Sequence, residues 1–325
     1  MRLFAAIDLG GTHCRFAKFR ETPRRLELEA VEQCATAELK RTESVLEKWE
    51  QTLHTKLSAV DALVLGVAGP VRDPLHARLS NAPLEIDLRN AASRFGIKTC
   101  CVVNDFVCEA YACLTPAGER SLPVLGTELP LLLAAESEAV PVAVLGSGTG
   151  LGTSWLVPYR DAGKQRWRAL PAEAGHMAFA FVGREEEEFA AFARKQTGQV
   201  LLRGDDLVTG RGVALLHHFL TGRVLSPEQA AAEGLNSACA TQCWYARFLG
   251  RVCAHWGLCT LCFGGLFLTG GMVRRNPAVL AHPAFAEGFF MAPGLEVLER
   301  IPVRRCVDPY SGLWGAAWLA AHGRS

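Results

Sequence analysis

The chain has 325 residues, half of them hydrophobic, with 34 Lys+Arg against 33 Asp+Glu and a net charge of +1. At roughly 100–200 residues per domain this length predicts two domains, and the apolar share excludes an intrinsically disordered protein. The near-zero charge supplies no global field for nucleic acid or an anionic membrane, so neither is expected as a partner.

Residues 3–8 (LFAAID) read as a strand, Gly10-Gly11 as a tight turn and 14–19 as a return strand, and 26–33 alternate well enough for a third. From 43 to 60, Val45, Leu46, Trp49, Leu53, Leu57 and Val60 recur at helical spacing. Residues 62–68 (ALVLGVA) form a continuous apolar run, as in a strand buried on both faces. A short helix over 88–95, a buried strand over 98–103 and a helix over 106–114 follow.

The second half repeats the theme. Residues 142–146 read as a strand ending in a glycine cluster, with 153–157 as its partner. A helix is predicted over 184–196, and its opening run Glu185 to Glu188 reads as a solvated face. Further helices are predicted at 211–220, 227–234 and 237–256, a strand at 266–269, another near 301–307, and a final helix over 311–322 with Leu313, Trp314, Ala317 and Trp318 on one stripe. Strands and helices alternate in both halves, which predicts two α/β units.

The opening MRLFAAIDLGGTH has no long apolar segment or cleavage site, so a reducing cytoplasm and free thiols are expected for the 12 cysteines. Cys239-x3-Cys243 and Cys259-x2-Cys262 have a zinc-like spacing, but the first pair lies inside a helix-like run, so buried thiols are expected there. Residues 252–273 are long enough to span a bilayer. They contain His255 and five glycines, and read instead as a buried helix end followed by a core strand.

Three glycine turns follow apolar strands: Asp8-Leu9-Gly10-Gly11-Thr12, Gly146-Ser147-Gly148-Thr149-Gly150-Leu151-Gly152, and Thr269-Gly270-Gly271-Met272. Such turns let backbone N–H groups approach a phosphate closely. There is no G-x-x-x-x-G-K-[ST] and no G-x-G-x-x-G, so neither a Walker site nor a dinucleotide fingerprint is present. Asp8, at a strand end, suits a Mg²⁺–phosphate group or a cap on the turn. Asp105, after Asn104 at the end of a buried strand, suits a ligand site or the N-cap of the helix that follows, and the two roles can coexist. Glu173 and His176 flank Gly175 in a loop bounded by Pro and Gly, where side chains can converge on a ligand.

Taken in order, D-L-G-G-T, L-S-N-A-P, V-V-N-D-F, G-S-G-T-G-L-G, L-P-A-E-A-G-H, V-T-G-R-G and L-T-G-G-M-V-R-R resemble the bacterial glucokinase family, within the actin-like ATPase superfamily of sugar kinases. The similarity runs from about residue 3 to 319. It implies an α/β, two-domain actin-like ATPase (ribonuclease H-like) fold with an interdomain active-site cleft. The small domain would be 1–106, completed by a C-terminal helix at 309–325, and the large domain 107–308. It implies ATP-dependent phosphorylation of glucose at the 6-hydroxyl, the first step of glycolysis, with ATP and Mg²⁺ as cofactors, and a homodimer.

The same resemblance makes Asp105 the general base, and Asn81, Asn104, Glu173 and His176 ligands of sugar hydroxyls. Asp205 aligns with a further sugar-binding Glu. Asp8, Gly10, Gly11 and Thr12 would face the phosphates and Mg²⁺, with Asp8 reaching the ion through water. Gly148, Thr149 and Gly150 would form a second phosphate turn, and Gly270 and Gly271 would lie against adenosine.

The chain departs from the family pattern at His13, at Ala82-Pro83, at Ala172 and Ala174 (where glycines are usual) and at Asp205. These leave a kinase for another hexose or an amino sugar open. A non-catalytic sugar sensor is opposed by the retention of both Asp8 and Asp105. The related repressor–kinase family carries a cysteine-rich zinc motif after its E-x-G-H, whereas here no Cys follows His176 until position 239.

Overall fold

The computed structural model describes residues 1–23, 25–80, 82–126, 139–236, 238–291 and 295–323. Two compact units emerge, one of Met1–Arg120, Leu156–Pro171 and Asp308–Ser325, the other of Ser121–Trp155 and Ala172–Val307. The first unit therefore runs beyond 106 to Arg120 and also takes in the far part of a hairpin from the middle of the chain.

In the first unit the strands are β1 (Leu3–Leu9), β2 (His13–Glu21), β3 (Leu26–Ala35), β4 (Ala62–Val67), β5 (His76–Arg78), β6 (Glu85–Asp87) and β7 (Cys100–Asn104). The helices interleaved with them are α1 (Thr42–Thr52), α2 (Leu88–Arg94), α3 (Asp105–Ala112) and α4 (Pro116–Glu119). The main sheet has the order β3-β2-β1-β4-β7. Antiparallel pairing joins β1 to β2 and β2 to β3, and parallel pairing joins β1 to β4 and β4 to β7. Every residue of β4 is buried, as its unbroken apolar run requires of a central parallel strand. Trp49 of α1 is buried on the sheet and donates its indole N–H to the Ala17 carbonyl at 3.1 Å.

The helix expected over 43–60 stops at Thr52. His54 takes a left-handed backbone (φ 47°), and the Leu57 N–H turns back to the Glu50 carboxylate at 2.8 Å. Leu57 and Val60 still reach the core, from a short 3₁₀ turn rather than from helix, so the apolar spacing was right about burial and wrong about geometry.

The second unit carries β8 (Leu122–Leu125), β9 (Val142–Ser147), β12 (Leu266–Thr269) and β13 (Val303–Arg305), together with the base of the hairpin β10 (Leu151–Asp161) and β11 (Lys164–Ala172), whose Leu156–Pro171 part belongs to the first unit; the sheet runs β11-β10-β9-β12-β13-β8. Its helices are α5 (Gly183–Thr197), α6 (Gly204–Leu207), α7 (Gly210–Thr221), α8 (Pro227–Gly234), α9 (Ala240–Thr260), α10 (Gly271–Arg275), α11 (Pro277–Ala281) and α12 (Pro283–Phe289). The first five strands of this sheet repeat the third-second-first-fourth-fifth order of the other unit's main sheet. Trp256 of α9 anchors to β9 through its indole N–H and the Val144 carbonyl at 3.1 Å.

Glu186 departs from the solvated face expected of the acidic run at 185–188. It is 4% exposed and pairs with buried Arg251 of α9 through two bonds of 2.6 and 2.9 Å. The 252–273 segment resolves into the end of α9 and buried β12. No helix among the described residues is long and apolar enough to cross a membrane.

The chain returns to the first unit as α13 (Ser311–His322), which packs on β1, β4 and α3. Gly315 makes this packing possible: a Cβ there would lie 1.7 Å from the Cys108 carbonyl oxygen. The two helix backbones are in direct contact at this point, and α3 is the helix that begins at Asp105.

Candidate active site

In the first unit the expected residues gather at the carboxyl ends of β1 and β7. Asp8, next to last in β1, faces Arg15 across the β1–β2 pair, and the Arg15 guanidinium donates to its Oδ2 at 3.0 Å. Behind the Gly10-Gly11 turn, buried Thr36 donates its hydroxyl to the Gly10 carbonyl at 2.7 Å and its N–H to the Thr12 carbonyl at 2.9 Å. This brace fixes the turn while Thr12 stays exposed at its tip.

Asn104, not Asp105, is the N-cap of α3: its Oδ1 accepts the Phe106 N–H at 3.0 Å. Both hydrogens of its Nδ2 are taken as well, by the Gly69 carbonyl at 3.1 Å and by Asp105 Oδ1 at 2.9 Å. Asn104 thus serves as the support of Asp105 more than as a donor to a ligand. Asp105 Oδ1 also accepts the Phe106 N–H at 3.0 Å, and Oδ2 takes no bond among the described residues.

Burial, and then the negative charge of Asp8, push the Asp105 carboxyl up to about 7; Glu109 adds in the same direction, against the lowering pull of the Phe106 N–H. Glu109 in turn accepts the Ser311 hydroxyl of α13 at 3.0 Å. Asn81 lies outside the described residues.

In the second unit, the second and third glycine turns adjoin. Gly270 has φ 95°, and a Cβ on it would sit 2.2 Å from the Ser147 carbonyl oxygen, so only glycine lets the third turn rest on the second. Gly148 N–H bonds the Gly150 carbonyl at 3.0 Å, leaving Thr149 and Gly150 exposed at the apex.

Asp205 is 7% exposed and lies beneath this turn. Its Oδ1 accepts the Leu151 N–H at 2.7 Å and its Oδ2 accepts from Arg211 at 3.2 Å. Both oxygens hold protein groups, so Asp205 braces the Gly148–Gly150 turn. A Cβ on Gly150 would lie only 3.1 Å from the Asp205 Oδ1, so the carboxylate is tucked under the turn.

The loop with Glu173 and His176 is built on the same strand end. Buried Thr153 of β10 clasps Glu173 from both sides, its hydroxyl donating to the Ala172 carbonyl at 3.0 Å and accepting the Ala174 N–H at 3.2 Å. Ala172 and Ala174 are not among the residues with positive φ, so replacing glycine there strains nothing. Gly175 does need to be glycine, because a Cβ would lie 2.1 Å from the Leu151 carbonyl oxygen. A 3₁₀ turn over Ala174–His176 then brings the His176 ring to Glu173, Nε2 to Oε2 3.5 Å.

Thr36, Thr153, Arg203 and Asp206 complete these arrangements and escape sequence reasoning. Asp206, three residues after Arg203, has the spacing of a capping pair, and nothing in the sequence ties it to His176. Thr153 looks like any strand threonine. Among the described residues no group of three His, Cys, Asp or Glu side chains is arranged to hold a metal ion. Asp8 is a hard oxygen donor beside the Gly10-Gly11 turn, a donor of the kind that would suit Mg²⁺.

A family model described as Glucokinase matches residues 5–323. A glucokinase of Chelativorans sp. (strain BNC1) is 30% identical over 98% of this chain and 90% of that protein. Among solved structures, a glucokinase from an Antarctic psychrotroph superposes with a TM-score of 0.81 at 23% identity, covering 99% of this chain and 100% of that one. A glucokinase from Balamuthia mandrillaris in complex with glucose gives 0.77 at 20% identity, covering 98% and 94%. The structural likeness shows the fold, the actin-like ATPase fold of the sugar kinases.

Proposed function

The chain belongs to the glucokinase family, and from that premise we infer that it is an ATP-dependent sugar kinase that phosphorylates glucose at the 6-hydroxyl. Asp105 is the observation that carries the reading. Its Oδ2 is unengaged among the described residues, its Oδ1 is fixed by Asn104 and the Phe106 N–H, and its pKa of about 7 suits a base working near neutrality.

Asp105 takes the proton of the 6-hydroxyl as that oxygen bonds to the γ-phosphorus, and the bond from phosphorus to the β–γ bridging oxygen breaks to release ADP. Glu173 and His176 hold other hydroxyls of the sugar. The Gly10-Gly11 and Gly148–Gly150 turns take phosphate oxygens with N–H groups other than those of Gly10 and Gly148, which bond the His13 and Gly150 carbonyls; Thr12 and Thr149 stand beside them, and Gly270-Gly271 leaves room for adenosine. Asp8 would hold a Mg²⁺ ion beside the phosphates, and such an ion would supply charge stabilisation to their oxygens. Every other element of the reaction is positioning by the chain itself. The same reading includes a cytoplasmic location and allows a homodimer.

A second reading, a kinase for another hexose or an amino sugar, is favoured by one observation: the Asp205 carboxylate is committed to Leu151 and Arg211, which removes one expected sugar contact.

The test is ADP release with Mg-ATP and a panel of hexoses and amino sugars, for the wild type and for Asp105→Asn. Glucose-dependent ADP release is expected, with kcat/KM falling about tenfold per pH unit below about 7. In Asp105→Asn kcat is expected to drop by ~10²–10⁴-fold. Absence of sugar-dependent ADP with every sugar would refute the kinase reading, and a preferred amino sugar would favour the second one.

A further inference from the structure

We propose that Arg203 is a positioning residue for the sugar: clamped on Asp206, its guanidinium fixes the His176 ring with Nδ1 accepting and Nε2–H turned toward Glu173. The proposal deepens the sugar-kinase reading and rests on it.

Arg203 grips Asp206 in a fork, Nε to Oδ2 at 3.0 Å and Nη2 to Oδ1 at 3.2 Å. The same carboxylate accepts the Arg203 backbone N–H at 3.0 Å and the Gln199 side-chain amide at 3.4 Å. Burial raises the Asp206 carboxyl, but Arg203 and these N–H groups outweigh it and hold the group below the usual carboxylate range. The pair therefore stays ionised through neutral pH. The backbone of Arg203 is fixed as well: Ala178 bridges to Arg203, the Phe179 N–H bonds the Leu202 carbonyl at 2.9 Å, and the Gly204 N–H bonds the Met177 carbonyl at 3.3 Å. This strap joins Arg203 to the segment that leaves His176.

The remaining arm of the fork, Nη1, meets His176 Nδ1 at 3.3 Å. A guanidinium only donates, so Nδ1 must be the acceptor, and in the neutral ring the proton sits on Nε2. That nitrogen faces Glu173 Oε2 at 3.5 Å. The side-chain exposures run from 6% at Asp206, through 32% at Arg203, to 50% at His176 and 73% at Glu173. An ion pair anchored on buried Asp206 thus stands behind an open ring, the arrangement in which a supporting shell sets the orientation of a residue that meets a ligand. With its tautomer fixed, the ring presents one donor at one place, and Glu173 presents an acceptor beside it. Adjacent hydroxyls on a sugar ring, each both donor and acceptor, match such a pair.

Two readouts test this, one of them independent of turnover. In protein with ¹⁵N-labelled histidine, the resonances lost in His176→Gln identify the His176 ring, and wild type is expected to show the Nε2–H tautomer alone. The double variant Arg203→Met/Asp206→Asn, which leaves no buried charge unpaired, is expected to show both tautomers. It should raise the glucose KM about tenfold, with kcat and the ATP KM within about twofold of wild type. Arg203→Lys keeps the charge opposite Asp206 but loses the fork, and should raise the glucose KM by a smaller factor. An Nδ1–H tautomer in wild type would overturn the proposal. So would a glucose KM in Arg203→Lys equal to wild type, and this variant decides the matter if the double variant does not fold. Failure of the sugar-kinase reading would look different: no sugar-dependent ADP release from wild type, whatever the tautomer.

Discussion

Replacing Asp105 by Asn should stabilise the protein at alkaline pH while removing its activity, and the gain should grow with pH in a defined window. Asp105 has a folded-state pKa of about 7 against ~3.9 for an unperturbed Asp in the unfolded chain. For a carboxyl raised on folding, the folded state holds its proton longer than the unfolded state does. Stability is therefore full below the unfolded pKa, is lost as pH climbs from about 4 to about 7, and is level above that. The whole loss amounts to about 4 kcal/mol, of which roughly 2–3 kcal/mol falls between pH 5 and pH 8. Asn cannot ionise, so Asp105→Asn escapes this term. Its hydrogen bonds with Asn104 and the Phe106 N–H differ from those of Asp, but that difference does not vary with pH.

Thermal unfolding of wild type and Asp105→Asn at pH 5, 6, 7 and 8, followed by calorimetry to separate the two units, measures the gap. At ~2–4 °C per kcal/mol for a unit of this size, the transition assigned to the first unit should gain roughly 5–10 °C on its wild-type counterpart between pH 5 and pH 8. A gap that stays constant across this range would refute the argument that burial and Asp8 hold the base in check. A variant that loses ground as pH rises would reverse its sign.

Thr153→Val should remove both bonds that clasp Glu173 and raise the glucose KM by roughly tenfold through ~1–2 kcal/mol of lost positioning, while Thr153→Ser keeps the hydroxyl and stays near wild type; steady-state kinetics on the two variants decides it. Glu186→Ala should leave the buried Arg251 charge unpaired and cost the second unit ~3–5 kcal/mol, read as a lower transition in the same calorimetric scan; an unshifted transition would show that Arg251 finds another partner.

The sheet strands were legible wherever apolar runs were bounded by glycine. β1, β4, β9 and β12 follow from their residues alone, as does the parallel core they form. The small elements were not. The hairpin of β5 and β6 has three residues per strand, and α11 and α12 are five and seven residues long, too short for a period to show. The helix at 43–60 was read too long because periodicity reports which side chains are buried, and a 3₁₀ turn can bury Leu57 as well as a helix can.

At the candidate site, residue types single out Asp8, Asp105, Glu173 and His176. What the sequence could not convey was which polar groups spend their bonds on the protein. Asn104 and Asp205 have the composition of ligands and the hydrogen bonds of supports. Glu186 and Arg251, 65 residues apart, pair through a tertiary contact that no local pattern encodes.

The Gly315 contact between α13 and α3 also has a temporal side. Between Arg120 and Asp308 the chain builds only the hairpin end and the whole second unit. At ~5–20 residues per second on the ribosome, roughly 10–40 s pass after Arg120 is made before α13 begins to emerge. For that interval the face of β1, β4 and α3 that α13 covers has no partner, and the second unit, which runs to Val307, is itself still being made. Newly made chains are thus expected to pass through a half-folded stage in which an apolar face is open to chaperones or to neighbouring nascent chains. The helix that begins at Asp105 gains its α13 packing only when the segment around Gly315 arrives, after the whole second unit has been made.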